Sequence, residues 1–208
     1  MNNYIEQLNW RYVTKKFDAS KKLSADDLKI LKDAIQLSAS SYGLQPYKIF
    51  VVEDKNTKQL LKEAGYNQAQ FTDASQIFVF THRTDFGEEL VDSYITHAER
   101  IQEIEKGSID KYAGVMKNSL MGLDTAAKSV WASRQVYLAI GNLLSAAAVY
   151  KIDACPMEGF DADAFDKILN LKKDNLHAVA VVALGYRSAD DKHNKKVRRP
   201  QTELFETV

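Results

Sequence analysis

The chain has 208 residues, 45% hydrophobic and 27% charged, with 28 basic and 28 acidic side chains. That length and composition fit one globular domain over residues 1–208 with a sizeable core, and the zero net charge leaves no bulk field for binding nucleic acid. A single cysteine, Cys155, excludes an internal disulfide and any metal site built on cysteines.

The first ten residues, MNNYIEQLNW, lack a basic stretch followed by an apolar run, so a cytoplasmic protein is expected. Tyr4, Ile5 and Leu8 share one face of a first helix over residues 4–10. Residues 24–27, Ser-Ala-Asp-Asp, read as a capping-box-like start, and Leu28, Leu31 and Ile35 follow at helical spacing. Small polar residues at 38–41 end that helix, and Pro46 bars its continuation. Residues 49–52 (IFVV) and 77–80 (IFVF) are predicted strands, with a short helix around Leu60 and Leu61 between them. Leu90, Val91, Tyr94, Ala98 and Ile101 mark a long amphipathic helix, whereas residues 107–124 show scattered glycines and no readable period.

Residues 125–150 are helical and apolar on most sides, which places the helix between other elements or at a subunit interface. Arg134, Gln135 and Asn142 make it a core helix rather than a membrane span. Asp161 is placed to cap a helix holding Phe165, Ile168 and Leu169. Residues 178–184 form the strongest strand, closed by Gly185, and the tail from 186 to 208 has no period of its own and needs a partner surface to order. Strands interleaved with longer helices predict a mixed α/β or α+β sandwich.

Charge is unevenly spread. Residues 11–22 hold five basic side chains and one acid, and residues 187–199 hold six and two. Two basic clusters flanking a net acidic segment fit a local anion site better than a nucleic-acid surface, although two solvated faces are the plainer reading from charge alone. Four segments carry candidate chemistry. In RYVTK, Arg11 offers a fork and Lys15 a point charge, donors suited to a phosphate; a basic helix end is the plainer reading. In SASSYGLQP, hydroxyls and amides surround Gly43, giving either a ligand loop or a helix-terminating one. In CPMEGF, Pro156 fixes one dihedral and Gly159 frees another, a rigid turn that can aim backbone N–H groups or simply precede a helix. In KVRRP, Lys196 and Arg198 point the same way in extended chain, unless this is only a basic tail. No Gly-x-Gly-x-x-Gly, P-loop or Gly-x-Ser-x-Gly motif is present, and His82, His97, His177 and His193 stand isolated without metal-ligand spacing, so no metal is expected.

In this order, RYVTKKFD, SASSYGLQP, QVYLAIGN, PMEGFD and KVRRP resemble the FMN-binding framework of the nitroreductase family, in the subgroup of oxygen-insensitive NAD(P)H nitroreductases and dihydropteridine reductases. The resemblance runs from Arg11 to Arg198. It implies an α+β fold: an α/β sandwich whose central mixed, mainly antiparallel sheet is flanked by helices, with a C-terminal arm swapped in a homodimer. It implies that Arg11, Lys196 and Arg198 hold the FMN phosphate and that Lys15 lies near flavin N1 and O2. Ser40 and Ser41, beside Gly43, would reach the flavin from the partner subunit, and Asn67 would sit by its pyrimidine end. Pro156, Met157, Glu158 and Gly159 match the turn behind the ring, with the Glu158 backbone N–H donating to N5.

Val13 stands where the family has a serine, leaving only its backbone to contribute, and Gln70 stands where some members have a second lysine. Tyr42 and Tyr66 match substrate-pocket positions, and Met116 and Lys117 match a mobile pocket wall. The implied reaction is two-electron, ping-pong hydride transfer from NADH or NADPH through FMN to small acceptors such as nitroaromatics, quinones or pteridines. A narrower enone or quinone reductase, a flavin-binding protein without turnover and a cofactor-free dimeric scaffold are the alternatives.

Overall fold

The computed structural model describes residues 4–193 and 195–208. Its centre is a four-stranded antiparallel sheet in the order β1-β2-β4-β3, formed by β1 (Tyr47–Val52), β2 (Gln76–Arg83), β3 (Asp153–Met157) and β4 (Leu176–Gly185). The middle strands β2 and β4 read as near-continuous apolar runs because both faces of the sheet are covered. On one face Ile77, Val79, Val181 and Ala183 pack with Phe71 and Phe165. On the other, Phe78, Phe80, Val182 and Leu184 meet Leu31 and Ile35 of α2 (Ala25–Gln36) and Val136, Ala139, Ile140 and Leu143 of α7 (Thr125–Val149). Successive side chains of a strand point to opposite faces, so the same two strands serve both cores.

The helix starts follow the expected chemistry. Ser24 and Asp27 form a complete capping box on α2, and Asp124 and Asp161 accept backbone N–H groups at the starts of α7 and α8 (Ala162–Ile168). The remaining helices are α1 (Tyr4–Trp10), α3 (Lys55–Ala64), α4 (Gln70–Asp73), α5 (Glu89–Gln102), α6 (Asp110–Met121) and α9 (Gln201–Leu204). The stretch without a readable period is therefore largely helical. Its apolar residues Ala113, Met116 and Leu120 pack with Leu90, Val91 and Ile95 of α5 and with Ala132 of α7 in a third cluster.

α1 spans the residues expected; its Tyr4 and Ile5 are exposed, and the residue it buries is Gln7. Two expectations need correction. Residues 155–157 belong to β3 rather than to a turn. Pro156 is tolerated there because β3 is an edge strand, and the turn is confined to residues 158–160, where the Phe160 N–H meets the Glu158 carbonyl at 3.0 Å. Gly159 does not take a positive φ, so left-handed backbone is not what places glycine there.

The chain following α1 runs along the outer side of β3. Val13 bridges Ala154 in parallel and Phe17 bridges Arg187 in antiparallel, which adds a parallel contact to the otherwise antiparallel sheet. This path brings the first basic cluster beside β3 and the segment that leaves β4. None of the described helices is long and apolar enough to cross a membrane.

Candidate functional site

The loop after α1 is held by a buried acid that sequence reading did not single out. Asp153, at the start of β3, accepts from the Arg187 backbone N–H and Nε, both at 2.8 Å, and from the Thr14 hydroxyl at 3.2 Å. The Arg187 guanidinium lies 4.3 Å from the ring centroids of both Trp10 and Tyr12, and His193 stacks on Tyr12 at 4.0 Å. A charge-assisted, stacked assembly thus fixes residues 10–14 against the segment that follows β4. The backbone bond from Ser188 to Lys16 (2.9 Å) and that from Asp18 to Tyr186 (2.8 Å) continue the seam.

The seam lets the two chain ends meet. Lys196 donates to the carbonyls of Leu8 and Asn9 at the end of α1. Burial and the charges of Arg11 and Arg198 hold the Lys196 ammonium below its ordinary range, and burial and Arg198 lower Arg11 in turn. Among the described residues no carboxylate forms an ion pair with Arg11, Lys15, Lys196 or Arg198. The Arg11 Nε is buried without a hydrogen-bond partner. Three cations, one with an orphaned donor, thus crowd together without a counter-charge rather than lying on two separate solvated faces.

Beside the cations lie the residues expected around the rest of the ligand. Gln70 is buried, with its amide nitrogen 4.0 Å from Cys155 Sγ on β3. Burial pushes the Cys155 thiol up, while Lys15, Gln70 and Arg11 pull it down. Lys15, Arg11 and Gln70 therefore surround the same side of β3. Tyr66 and Asn67 both take left-handed backbone (φ 56° and 57°) in the turn after α3. Gln68 ties that turn to the next, donating to the Gly65 carbonyl at 2.9 Å and the Gly159 carbonyl at 2.8 Å. A Cβ at Gly159 would meet nothing within 4 Å, so the turn faces open space. The ladder ends at Met157, and the Glu158 N–H has no turn or side-chain acceptor among the described residues. The Glu158 carboxylate accepts from Tyr137 of α7 at 2.7 Å, and burial followed by this contact pushes the Tyr137 phenol up to about 12.

The model of the Nitroreductase family matches residues 8–186. A Staphylococcus haemolyticus protein provisionally named NAD(P)H nitroreductase is 32% identical over 214 residues, 98% of this chain and 96% of its own. The chain belongs to the nitroreductase family. Members of this family are flavin-dependent oxidoreductases. The same fold recurs in a provisionally named nitroreductase of Bacillus subtilis, with a TM-score of 0.89 at 22% identity over 99% of this chain and 98% of that one. It recurs also in one from Exiguobacterium sibiricum solved in complex with FMN, with a TM-score of 0.84 at 16% identity over 100% and 98% of the two chains.

Within this nitroreductase fold, the sequence-derived residues fall into two groups. Arg11, Val13, Lys15, Gln70, Pro156, Met157, Glu158, Gly159, Lys196 and Arg198 lie around β3 and the chain ends that meet it, with Asn67 on the neighbouring turn. Ser40, Ser41, Tyr42 and Gly43 stand apart, bound to other elements. Ser40 Oγ accepts from the Gln45 N–H at 3.1 Å, and the Ser41 N–H donates to Gln135 of α7 at 2.8 Å. Tyr42 is edge-on to Tyr112 at 6.2 Å, and Gly43 needs its positive φ of 74° and lack of a Cβ because the Tyr94 ring lies 3.0 Å from where that atom would be.

The residues expected to form a pocket wall are held from different sides. Met116 is fully buried in the α5–α6 cluster and lines no open surface, while Lys117 is held by Glu88 and Asp92, each at 2.7 Å. Nor are all the histidines isolated. His82 and His177 are paired across β2 and β4, His82 bonds the Ser129 hydroxyl at 2.6 Å, and His177 bonds Asp166 at 2.7 Å. Asp163, Asp166 and His177 have ligand atoms within 4.8 Å of one another, but both Asp166 oxygens already accept, from His177 and from the Ala178 N–H.

Asp153, Arg187, Asp191, Gln68 and Tyr137 were not found by sequence reading. Each acts through a partner at least 20 residues away or through a stacked ring, and no local spacing encodes that.

Proposed function

We propose that this chain is a single FMN-binding domain, working as a homodimer, that passes two electrons in ping-pong fashion from NADH or NADPH to small acceptors such as nitroaromatics, quinones or pteridine-like compounds. The observation that carries this reading is the meeting of Arg11, Lys196 and Arg198 from opposite chain ends, with the Arg11 Nε buried and unpartnered. A phosphate monoester supplies the missing counter-charge and acceptor.

When bound, FMN supplies the two-electron chemistry. The chain's own residues bind and orient it. Arg11 offers a fork to the phosphate, and Lys196 and Arg198 add charge from the tail. Lys15 and Gln70 face the electron-rich pyrimidine end, with Asn67 at its rim. The Glu158 N–H, free beyond the ladder, is the donor assigned to N5, and Gln68 and Tyr137 fix the turn that carries it. Tyr42 and Tyr66 are assigned to the acceptor pocket.

A second copy completes the site in this reading. Ser40 and Ser41 are bound to Gln45 and Gln135 rather than to the Arg11 cluster, which fits their reaching the cofactor of a partner. Val130, Tyr137 and Leu138 leave an apolar strip of α7 exposed, as an isologous interface requires. β1 is an edge strand, bordered by a groove of about 630 Å³ lined by Ile35, Tyr47, Ile49, Val51 and Phe78. The tail exposes Val197, Leu204 and Phe205, and an arm from the second copy would cover that edge.

Fluorescence titration of apoprotein with FMN tests the phosphate assignment. Arg11→Ala is expected to weaken binding about 10- to 100-fold, the size of a lost charge-assisted hydrogen bond, and Arg11→Lys to weaken it less. Unchanged affinity in Arg11→Ala contradicts the assignment.

A further inference from the structure

Asp191 is an acid beside the cations of the site. Its Oδ1 accepts from the backbone N–H groups of Lys15 at 3.2 Å and Lys16 at 2.8 Å, across 175 or more residues of sequence. Its own N–H donates to the Ser188 carbonyl at 3.0 Å, and Ser188 in turn bonds the Lys16 carbonyl. The residue is thus a clasp between the segment leaving β4 and the loop that carries Lys15. The carboxylate also takes a side-chain hydrogen bond from the Tyr12 phenol. Its charge reaches the site: Asp191 adds to burial in pushing the Tyr12 phenol up to about 12, and it works against Lys15 and Arg11 at the Cys155 thiol. The adjacent Asp190 differs. It is exposed and meets Lys16 at 3.6 Å on the outside of the same loop.

We propose that Asp191 is a positioning residue of the flavin site that also sets its potential: it clamps the Lys15–Lys16 backbone and places one negative charge among the cations facing the cofactor. The inference rests on the FMN reading above. Flavin gains negative charge on reduction, so a nearby anion disfavours the reduced form and a neutral residue in its place favours it. Asp191 thereby offsets Lys15, and Gln70 adds no second cation.

The test is anaerobic redox titration of FMN-loaded wild-type, Asp191→Asn and Asp190→Asn proteins, alongside FMN titration of each apoprotein and of Asp191→Ala. Asp191→Asn keeps the shape and an amide acceptor. It is expected to raise the midpoint potential, tightening reduced relative to oxidised FMN by about threefold or more. Asp190→Asn removes the same charge from the surface and is expected to leave the potential in place. Asp191→Ala loses the clasp and is expected to bind oxidised FMN more weakly than wild type. An unchanged or lower potential in Asp191→Asn, or an equal rise in Asp190→Asn, overturns the inference while FMN still binds. Wild-type apoprotein that binds no FMN overturns the flavin assignment itself.

Discussion

At the scale of single residues, the site is a problem in placing charge. Arg11, Lys15, Lys196 and Arg198 have no acid paired with their side chains among the described residues, and the acids nearby are occupied elsewhere: Asp153 with Arg187, Asp191 with backbone amides. Gln70 is the position where charge is withheld. It is buried against Cys155 and contributes a neutral amide where a lysine would contribute a cation. Cations near N1 favour the reduced flavin, so Gln70→Lys is expected to raise the potential of bound FMN in a redox titration. An unchanged or lower potential would show that residue 70 lies outside the electrostatic reach of the ring. These residues were legible only in part. RYVTK and KVRRP announced donors, and their convergence required knowing that residue 13 pairs with β3 and residue 17 with the segment that follows β4. Gly159 was noticed for the wrong reason: it takes no positive φ, and a Cβ there would stand in open space.

At the scale of elements, local chemistry encoded the starts of helices and three of the four strands well and β3 poorly. Ser24, Asp124 and Asp161 cap helices through side chains within three residues of their partners, so the signal is contained in a short window. β3 gives no such signal. Its five residues include a proline and an aspartate, and they form a strand because β4 offers a partner. α6 was unreadable for a similar reason: its apolar residues answer to α5 and α7 rather than to a clean stripe of their own.

The histidines illustrate the same limit, since only strand register puts His82 of β2 beside His177 of β4. His82 joins β2 to Ser129 of α7, with His177 and Asp166 of α8 next to it, and burial followed by the His177 charge holds its pKa down to about 4 from an ordinary 6.5. The unfolded chain therefore binds a proton at His82 between those two values and the folded chain does not. The stability this contributes is present above about pH 6.5 and is lost as pH falls towards 4. Urea unfolding at pH 7 and pH 5 is expected to show a loss of about 2 kcal/mol attributable to His82. A His82→Asn variant is expected to lose stability less steeply between the two pH values; the same loss in both proteins would contradict a buried neutral His82.

At the scale of the whole molecule, one chain accounts for the proposed phosphate end of the site and leaves other surfaces uncovered. The strip of α7 at Val130, Tyr137 and Leu138, the edge of β1 and the apolar side chains of the tail are exposed together. Two features announced these surfaces in the sequence, a helix apolar on most sides and a tail with no period of its own, and the homodimer proposed above would cover both. The central claim is that the joined chain ends bind FMN in a form that nicotinamide nucleotides reduce. The visible spectrum of the purified protein, taken with FMN before and after anaerobic addition of NADH or NADPH, tests it most directly. A yellow protein is expected, whose flavin band is bleached by at least one of the two nucleotides and returns on adding an acceptor. A colourless protein that ignores added FMN, or a yellow one that neither nucleotide bleaches, would contradict it.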